Sequence, residues 1–391
     1  MNPPAQPKPF IAIACGGTGG HLFPGLAVAR QLQERGSDVA LLISPKEVDQ
    51  QAVQPVVGME IFTLPAVGLQ NGNYFSFAKS FWHSFGAAQK LFQRRSPAAV
   101  LAMVGFTSAP PVFAAKLSGA KTFLHESNTI PGRANRRLAR FVDAAFVGFP
   151  EAAARLKTKK TLITGTPVRP QFFQSAIGNR QSAMALGLDP NSPIVLVVGG
   201  SQGARGLNDL VLSALPLLTQ KNWQWLHLTG ANDFEKVQSA YAKLGLKAVV
   251  KPFLAEMDLA LGAATAGVSR AGASSLAELA AMRLPALLVP LSTAADNHQF
   301  FNALAFEKTG AAKMLEQTSS PERVAALLAE IVGNGTVRQP MQVALARWHA
   351  PSAAGQIAEN ILSALGQNFF TARKVVRPAG VPGEMSLKVV A

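Results

Sequence analysis

Phe10-Ile11-Ala12-Ile13-Ala14-Cys15-Gly16-Gly17-Thr18-Gly19-Gly20-His21, with a helical run from Pro24, decides the fold. The same pattern returns as Ile194-Val195-Leu196-Val197-Val198-Gly199-Gly200-Ser201-Gln202-Gly203-Ala204, with a helix from about Arg205. In each, an apolar strand runs through a glycine-rich turn into a helix. Such a turn aims backbone N–H groups and the positive end of a helix dipole at whatever lies beyond the strand, an arrangement suited to phosphate. Two copies predict an α/β protein of two parallel-sheet domains facing one another across a cleft.

Working outward, apolar runs alternate with helical patterns along the whole chain. In the first half, strands are expected near 10–15, 38–43, 98–103, 121–124, 144–148 and 161–164, with helices including 24–35, 75–94, 110–118 and 131–140. In the second half, strands are expected at 194–198, 223–228, 247–251, 266–269, 286–290 and 311–315. Helices are expected there at 205–218, 233–244, 274–282 and 298–308, then at 321–332 and about 340–365. Gly165-Thr166-Pro167-Val168-Arg169-Pro170 reads as a boundary, because two prolines in four residues stop both helix and central strand. The expected domains are 8–168 and 169–345, with a helix 346–366 crossing back to the first. Residues 367–391, a basic Gly/Pro mixture without periodicity, are expected to be a disordered tail.

The 391 residues are enough for two ordinary cores, and 48% hydrophobic with 15% charged reads as globular. A single cysteine, Cys15, excludes an internal disulfide framework and fits a reducing compartment. The first nine residues lack the apolar core of a signal peptide, and no apolar run is long enough to span a bilayer. Net charge is +15, and residues 99–180 hold 12 Lys/Arg against 3 Asp/Glu. Such an excess suits nucleic acid, an anionic membrane surface or phosphorylated substrates, and equally serves solubility.

The first turn is not a dinucleotide fingerprint, since Leu22 stands where the third glycine belongs. It also lacks the Gly-Lys-Ser/Thr of a triphosphate loop. His21 is left as a group that titrates near neutrality, either functional or a simple helix cap. In the second turn Ser201 and Gln202 add side-chain donors. Ala266-Gly267-Val268-Ser269 then leads through Arg270-Ala271-Gly272 into a helix carrying Glu278, where Arg270 and the helix start favour anions and Glu278 could accept hydrogen bonds from sugar hydroxyls. Leu124-His125-Glu126-Ser127-Asn128 ends a strand, the edge at which open α/β sheets bind ligands. Ala295-Asp296-Asn297-His298-Gln299 has the same character, although Asp-Asn is also helix-capping chemistry. No Cys/His cluster points to zinc, and no Asp-x-Asp follows a strand to hold a divalent metal, so no metal or cofactor is expected.

Tyr74-Phe75-Ser76-Phe77-Ala78-Lys79-Ser80-Phe81-Trp82-His83-Ser84-Phe85 is the most biased segment. Positions 74, 77, 81 and 85 share one helical stripe, which is either core or, with its wide apolar arc and Lys/Arg flanks, a membrane-facing surface.

Together these motifs resemble the MurG family, the membrane-associated N-acetylglucosaminyltransferases of peptidoglycan synthesis. The carriers are residues 16–21 with Phe23-Pro24-Gly25, His125-Glu126-Ser127-Asn128, residues 165–169, residues 199–204, residues 270–278 and Asp296-Asn297-His298-Gln299, in order and in register over about 10–365. The resemblance implies a GT-B fold, two Rossmann-like domains flanking a cleft. It implies inverting transfer of N-acetylglucosamine from UDP-N-acetylglucosamine to the 4-hydroxyl of the muramyl sugar of undecaprenyl-linked lipid I, giving lipid II. Ser201 and the helix start Ala273, Ser274, Ser275, Leu276 and Ala277 would meet the donor diphosphate, Glu278 the ribose, and Phe253 and Leu254 the uracil. Gln299 and Asn128 would hold the transferred sugar, with Arg169 facing the donor. Thr18, Gly19 and Gly20 would lie near the acceptor diphosphate, with His21 as general base.

The resemblance further implies peripheral attachment to an anionic membrane surface on the cytoplasmic face, and no nucleic-acid partner. Two departures stand on the acceptor side: Val104-Gly105-Phe106-Thr107-Ser108-Ala109-Pro110-Pro111 has few glycines, and His-Glu-Ser-Asn replaces the commoner His-Glu-Gln-Asn. Rival readings are a GT-B transferase with another lipid acceptor such as diacylglycerol, an inactive sugar-nucleotide-binding module, and a basic nucleic-acid-binding protein. The last lacks any base-reading motif.

Overall fold

The computed structural model describes residues 8–17, 19–54, 56, 58–65, 74–103, 107–174, 180–200 and 203–366. The expected disordered tail 367–391, Thr18, Val104-Gly105-Phe106, Ser201 and Gln202 lie outside the described residues. The chain divides into two compact units, one of residues 1–127, 131–167 and 352–391, the other of residues 128–130 and 168–351.

The first unit is built on β1 (Phe10–Ala14), β2 (Asp38–Ile43), β3 (Glu60–Thr63), β4 (Ala99–Ala102), β5 (Lys121–Glu126), β6 (Ala144–Val147) and β7 (Thr161–Ile163). All pair in parallel in the order β3-β2-β1-β4-β5-β6-β7. Helices pack on both faces, which is why β1 and β4 are buried along their whole length and read as unbroken apolar runs. One face carries Ile11, Ile13, Leu26 and Leu41, the other Ala12, Ala14, Val100 and Leu124.

The second unit repeats the design with β8 (Ile194–Val198), β9 (Gln224–Leu228), β10 (Ala248–Lys251), β11 (Ala266–Ser269), β12 (Ala286–Leu288) and β13 (Lys313–Met314). Its parallel order is β10-β9-β8-β11-β12-β13. In both sheets the order reverses beside the first strand, between β1 and β4 and between β8 and β11. At such a switch point the connections leave in opposite directions and open a crevice beyond the strand ends.

Several local expectations are revised. The first helix is Gly19–Glu34, so Gly19, Gly20 and His21 are already helical and Pro24 sits inside. Proline has no N–H to donate, so Pro24 itself adds no backbone bond to this first turn. β3 and the helix Glu47–Val53 were not expected; β3 is a four-residue edge strand without a buried position, and so lacks a strong apolar signal. The expected helix 340–365 is two, Gly335–Trp348 and Ala353–Ala364, interrupted at Pro351, which cannot donate and holds the preceding residue extended. The second of these lies in the first unit, where Ile357, Ala358, Ile361 and Leu362 join the core of Ile11 and Leu26.

The aromatic helix Tyr74–Arg94 turns a different face inward from the one its rings suggest. Ser80, Ser84, Ala88 and Phe92 are buried, while Phe77, Phe81 and Phe85 are half-buried and Phe75 and Trp82 stand out at 83% and 65% exposure. Small residues let this helix approach its neighbour Ala109–Leu117 closely, and the rings are displaced to its flank.

Candidate active site

In the first unit, β1 ends in the first glycine turn. Gly17 adopts φ +119°, a value open to glycine, and a Cβ on Gly16 would sit 2.3 Å from the Ser44 amide nitrogen. Gly200 repeats the feature after β8 with φ +112°. Gly19, Gly20 and His21 form the start of the helix, with Gly19 buried and His21 half-buried. Not every amide of this turn faces outward: Gly17 donates its N–H to Asp49 Oδ2 at 2.6 Å.

At the end of β5, His125 and Glu126 are fully buried. The His125 Nε2–H donates to the Gly165 carbonyl at 3.1 Å, and Ser127 Oγ–H donates to Nδ1 at 3.2 Å, so a neutral ring satisfies both contacts. Burial lowers the His125 pKa to about 4, against the opposing Gly165 hydrogen bond, and the electrostatic effect of nearby His21 acts in the same lowering direction as burial. Glu126 Oε2 accepts from Gly132 N and Asn135 Nδ2, both at 3.0 Å. These contacts brace the strand end.

Asn128, the next polar residue of that motif, belongs to the second unit. Its Oδ1 accepts from Asn302 Nδ2 at 3.0 Å, and Asn302 Nδ2 also donates to Ala271 O at 3.1 Å. Asn302 Oδ1 accepts from Thr129 N and Oγ1 at 3.0 and 2.9 Å. Asn302 is fully buried with both ends of its amide used, and it presents Asn128 beside the loop that leads to residues 273–278. Sequence reasoning missed it, although a lone Asn inside Phe-Phe-Asn-Ala-Leu-Ala was the available signal.

The helix Ala273–Met282 starts after β11 at Gly272, and no side chain caps it. Ala273 and Leu276 are buried and Ser274, Ser275 and Ala277 half-buried, so this start offers backbone N–H groups and two hydroxyls. Glu278, one turn in, faces Arg169, with Nη2 3.4 Å from Oε1 and side chains 13% and 15% exposed. Burial raises the Glu278 carboxyl pKa and Arg169 pulls it part of the way back. The Arg169 guanidinium also lies 4.9 Å from the Phe172 ring centroid, a cation–π contact that fixes its plane.

Arg270 does not serve as the anion receptor its sequence position suggested. Its Nη1 donates to Val289 O and Pro290 O at 3.0 and 3.3 Å, and Nη2 to Gln317 Oε1 at 2.6 Å. Only 6% exposed, it spends its guanidinium on buried carbonyl oxygens.

Gln299 Oε1 accepts from Leu291 N at 3.0 Å, which commits the carbonyl end and leaves the amide NH2 as the end that can donate to a ligand. Asp296 and Asn297 before it take φ +50° and +54°, left-handed values that Asp and Asn tolerate best. Asn297, at the N-cap of the helix His298–Lys308, makes no side-chain cap hydrogen bond. Phe253 is 58% exposed, whereas Leu254 is buried. Behind the second turn runs a buried polar chain: Tyr241 to His227 at 3.1 Å, His227 to Asn208 at 3.1 Å, and Asn208 Nδ2 to Asp233 at 2.7 Å. Burial pushes His227 down to about 3, so it stays neutral while it ties the helix Arg205–Ala214 to β9.

Comparison with known proteins agrees with this fold. Residues 11–147 match the glycosyltransferase family 28 N-terminal domain and residues 194–357 its C-terminal domain. The UDP-N-acetylglucosamine--N-acetylmuramyl-(pentapeptide) pyrophosphoryl-undecaprenol N-acetylglucosamine transferase of Parasynechococcus marenigrum strain WH8102 is 41% identical over 78% of this chain and 83% of its own. The enzyme of the same name from Anaeromyxobacter sp. strain Fw109-5 is 36% identical over 89% of this chain and 92% of its own. The crystal structure of Acinetobacter baumannii MurG superposes with a TM-score of 0.71 at 27% identity, covering 91% of this chain and 100% of that one. The chain, two Rossmann-like α/β domains of the GT-B kind, therefore belongs to glycosyltransferase family 28 and, within it, to the MurG family.

Proposed function

We propose that this chain transfers N-acetylglucosamine from UDP-N-acetylglucosamine to the muramyl 4-hydroxyl of lipid I, with inversion, forming lipid II. The observation that carries the reading is the repeated switch-point geometry. One glycine turn leads into His21, and the other ends the strand next to the one feeding the helix Ala273–Met282. In this reading His21 takes the proton from the acceptor hydroxyl as its oxygen attacks the anomeric carbon. The bond to the β-phosphate breaks, and UDP leaves with the electron pair.

The helix start at residues 273–275, with Ser201, supplies fixed donors to the charge that develops on that diphosphate. Glu278, held by Arg169, accepts from the ribose hydroxyls, and Phe253 with the Leu254 backbone flanks the uracil. Asn128 and Gln299 donate to the sugar being moved, and Leu276 and Ala277 contribute through the backbone. Thr18, Gly19 and Gly20 face the acceptor diphosphate.

A peripheral position at an anionic membrane on its cytoplasmic face fits the surface of the first unit. Among the described residues no helix is long and apolar enough to cross a membrane. Rings connect Trp82 and Phe81 to Phe113 and Phe141, and Phe75, Trp82, Leu117 and Phe141 are exposed. Exposed Lys79, Lys116, Arg137 and Arg140 belong to the same helices or adjoin them. Apolar rings rimmed by cations suit the headgroup region of an anionic bilayer.

Incubation with lipid I and UDP-N-acetylglucosamine should yield lipid II, and His21→Ala should lower turnover about 10²- to 10⁴-fold with little change in donor KM. Transfer to diacylglycerol with none to lipid I would establish the rival acceptor, and undiminished turnover in His21→Ala would remove that residue as base.

A further inference from the structure

Gly17 has two soft torsions and no side chain, so in isolation its peptide groups rotate easily. Here both torsions are pinned. The peptide joining Gly16 to Gly17 is held at its oxygen by Thr107 Oγ1 at 2.8 Å and at its N–H by Asp49 Oδ2 at 2.6 Å. The following carbonyl, of Gly17 itself, accepts from Lys46 Nζ at 3.1 Å. Lys46 and Asp49 stand three residues apart just after β2, the strand beside β1 in the sheet, Asp49 on the helix Glu47–Val53.

The chemistry of Asp49 is unusual for a mere packing residue. Its side chain is fully buried, and Oδ2 alone collects the donors: Gly17 N, Ser44 N at 3.3 Å and Ser44 Oγ at 2.5 Å. Oδ1 is buried with no hydrogen-bond partner among the described residues. A buried carboxylate with one oxygen unmatched is energetically demanding, and a charge-assisted bond to the Gly17 amide is what it provides in return. That bond also removes the Gly17 N–H from the set that a phosphate could use.

We propose that Asp49 and Lys46 are positioning residues for the transfer reaction. They lock the Gly17 backbone, and so set where the helix start carrying Gly19, Gly20 and His21 stands relative to the acceptor hydroxyl. The inference rests on the reading of His21 as base and of this turn as the acceptor side. It assigns the clamp no contact with substrate.

The test uses the full chain with lipid I, UDP-N-acetylglucosamine and the variants Asp49→Ala, Asp49→Asn and Lys46→Met, beside His21→Ala. Displacing a catalytic group by about 1 Å is worth about 10²-fold in rate, so Asp49→Ala should lower kcat/KM for lipid I by about 10- to 100-fold. Donor KM should stay within about twofold, because that site lies in the other unit. Asp49→Asn should recover most of the loss, since its carbonyl oxygen can replace Oδ2 and its NH2 the unmatched Oδ1. The acid limb of its pH–rate profile should not move, and Lys46→Met should show a smaller loss of the same kind.

Normal acceptor kinetics in Asp49→Ala overturns the proposal, as does an Asp49→Asn variant as impaired as Asp49→Ala or one with a shifted acid limb. If Asp49→Ala does not fold, Asp49→Asn and Lys46→Met decide. An active His21→Ala sinks the base assignment by itself, whereas inactive His21→Ala beside normal Asp49 and Lys46 variants sinks the clamp alone.

Discussion

Replacing Asn302 tests how the second unit presents Asn128. The native amide makes four hydrogen bonds, accepting two from Thr129 and donating one each to Asn128 and Ala271. In Asn302→Ala the Thr129 N–H and the Ala271 carbonyl lose their partner in a buried setting, Thr129 being 3% exposed and Ala271 fully covered. Each orphaned buried group is worth about 1–3 kcal/mol, so a loss of about 3 kcal/mol is expected, a large share of a stability on the order of 5–15 kcal/mol. Asn302→Asp should be at least as harmful: it keeps the acceptor for Thr129 but sets an oxygen against Asn128 Oδ1 and Ala271 O. Asn128, no longer oriented, should lose about one sugar hydrogen bond, raising donor KM by about 10-fold. Urea titration of the purified chain and steady-state kinetics at saturating lipid I read both quantities. An Asn302→Asp variant with native urea midpoint and donor KM would refute the reasoning.

Two further outcomes follow from buried charge. His125 has a folded pKa of about 4 against 6.5 in the unfolded chain, so its contribution is fully present above pH 6.5 and is lost as pH falls through 4. The difference is worth about 3 kcal/mol, and a urea midpoint that falls over this window in the wild type but less steeply in His125→Gln is the expected record. Glu278→Gln should raise donor KM by about 10-fold with a smaller effect on kcat, because a neutral amide accepts more weakly from ribose hydroxyls. Since burial raises its carboxyl above the usual range, wild-type donor affinity should weaken as pH falls through that raised value, and Glu278→Gln should lack this dependence. Equal donor KM for both proteins across the acid range would exclude the contact.

The architecture was legible because parallel strands covered on both faces must be apolar throughout, as Phe10–Ala14 and Ile194–Val198 are, and because glycine turns at strand ends follow a fixed geometry. What escaped were elements whose reasons lie elsewhere in the fold. The strand Glu60–Thr63 is an edge that only β2 specifies. The helix Tyr74–Arg94 buries its serines because close approach to the helix Ala109–Leu117 demands small residues, a requirement invisible in its own periodicity. Of the candidate site, Glu278 and Gln299 could be named from motifs, whereas the local sequence around Asn302 and Asp49 does not show that they bond to Thr129 and Gly17, far along the chain. Arg270 misled for the converse reason: a cation beside a helix start reads as an anion receptor until its carbonyl partners are known.

The motif His125-Glu126-Ser127-Asn128 gains a physical meaning from this division of labour. His125 and Glu126 turn inward to Gly165, Gly132 and Asn135, and Asn128 is held by Asn302 in the other unit. The residue between them, Ser127, donates its hydroxyl to His125 Nδ1 at 3.2 Å. That bond needs Nδ1 unprotonated, so it favours the tautomer that donates from Nε2 to Gly165 and opposes the imidazolium form. Burial is what holds His125 neutral, lowering its pKa to about 4, and the Ser127 bond is compatible with that neutral ring.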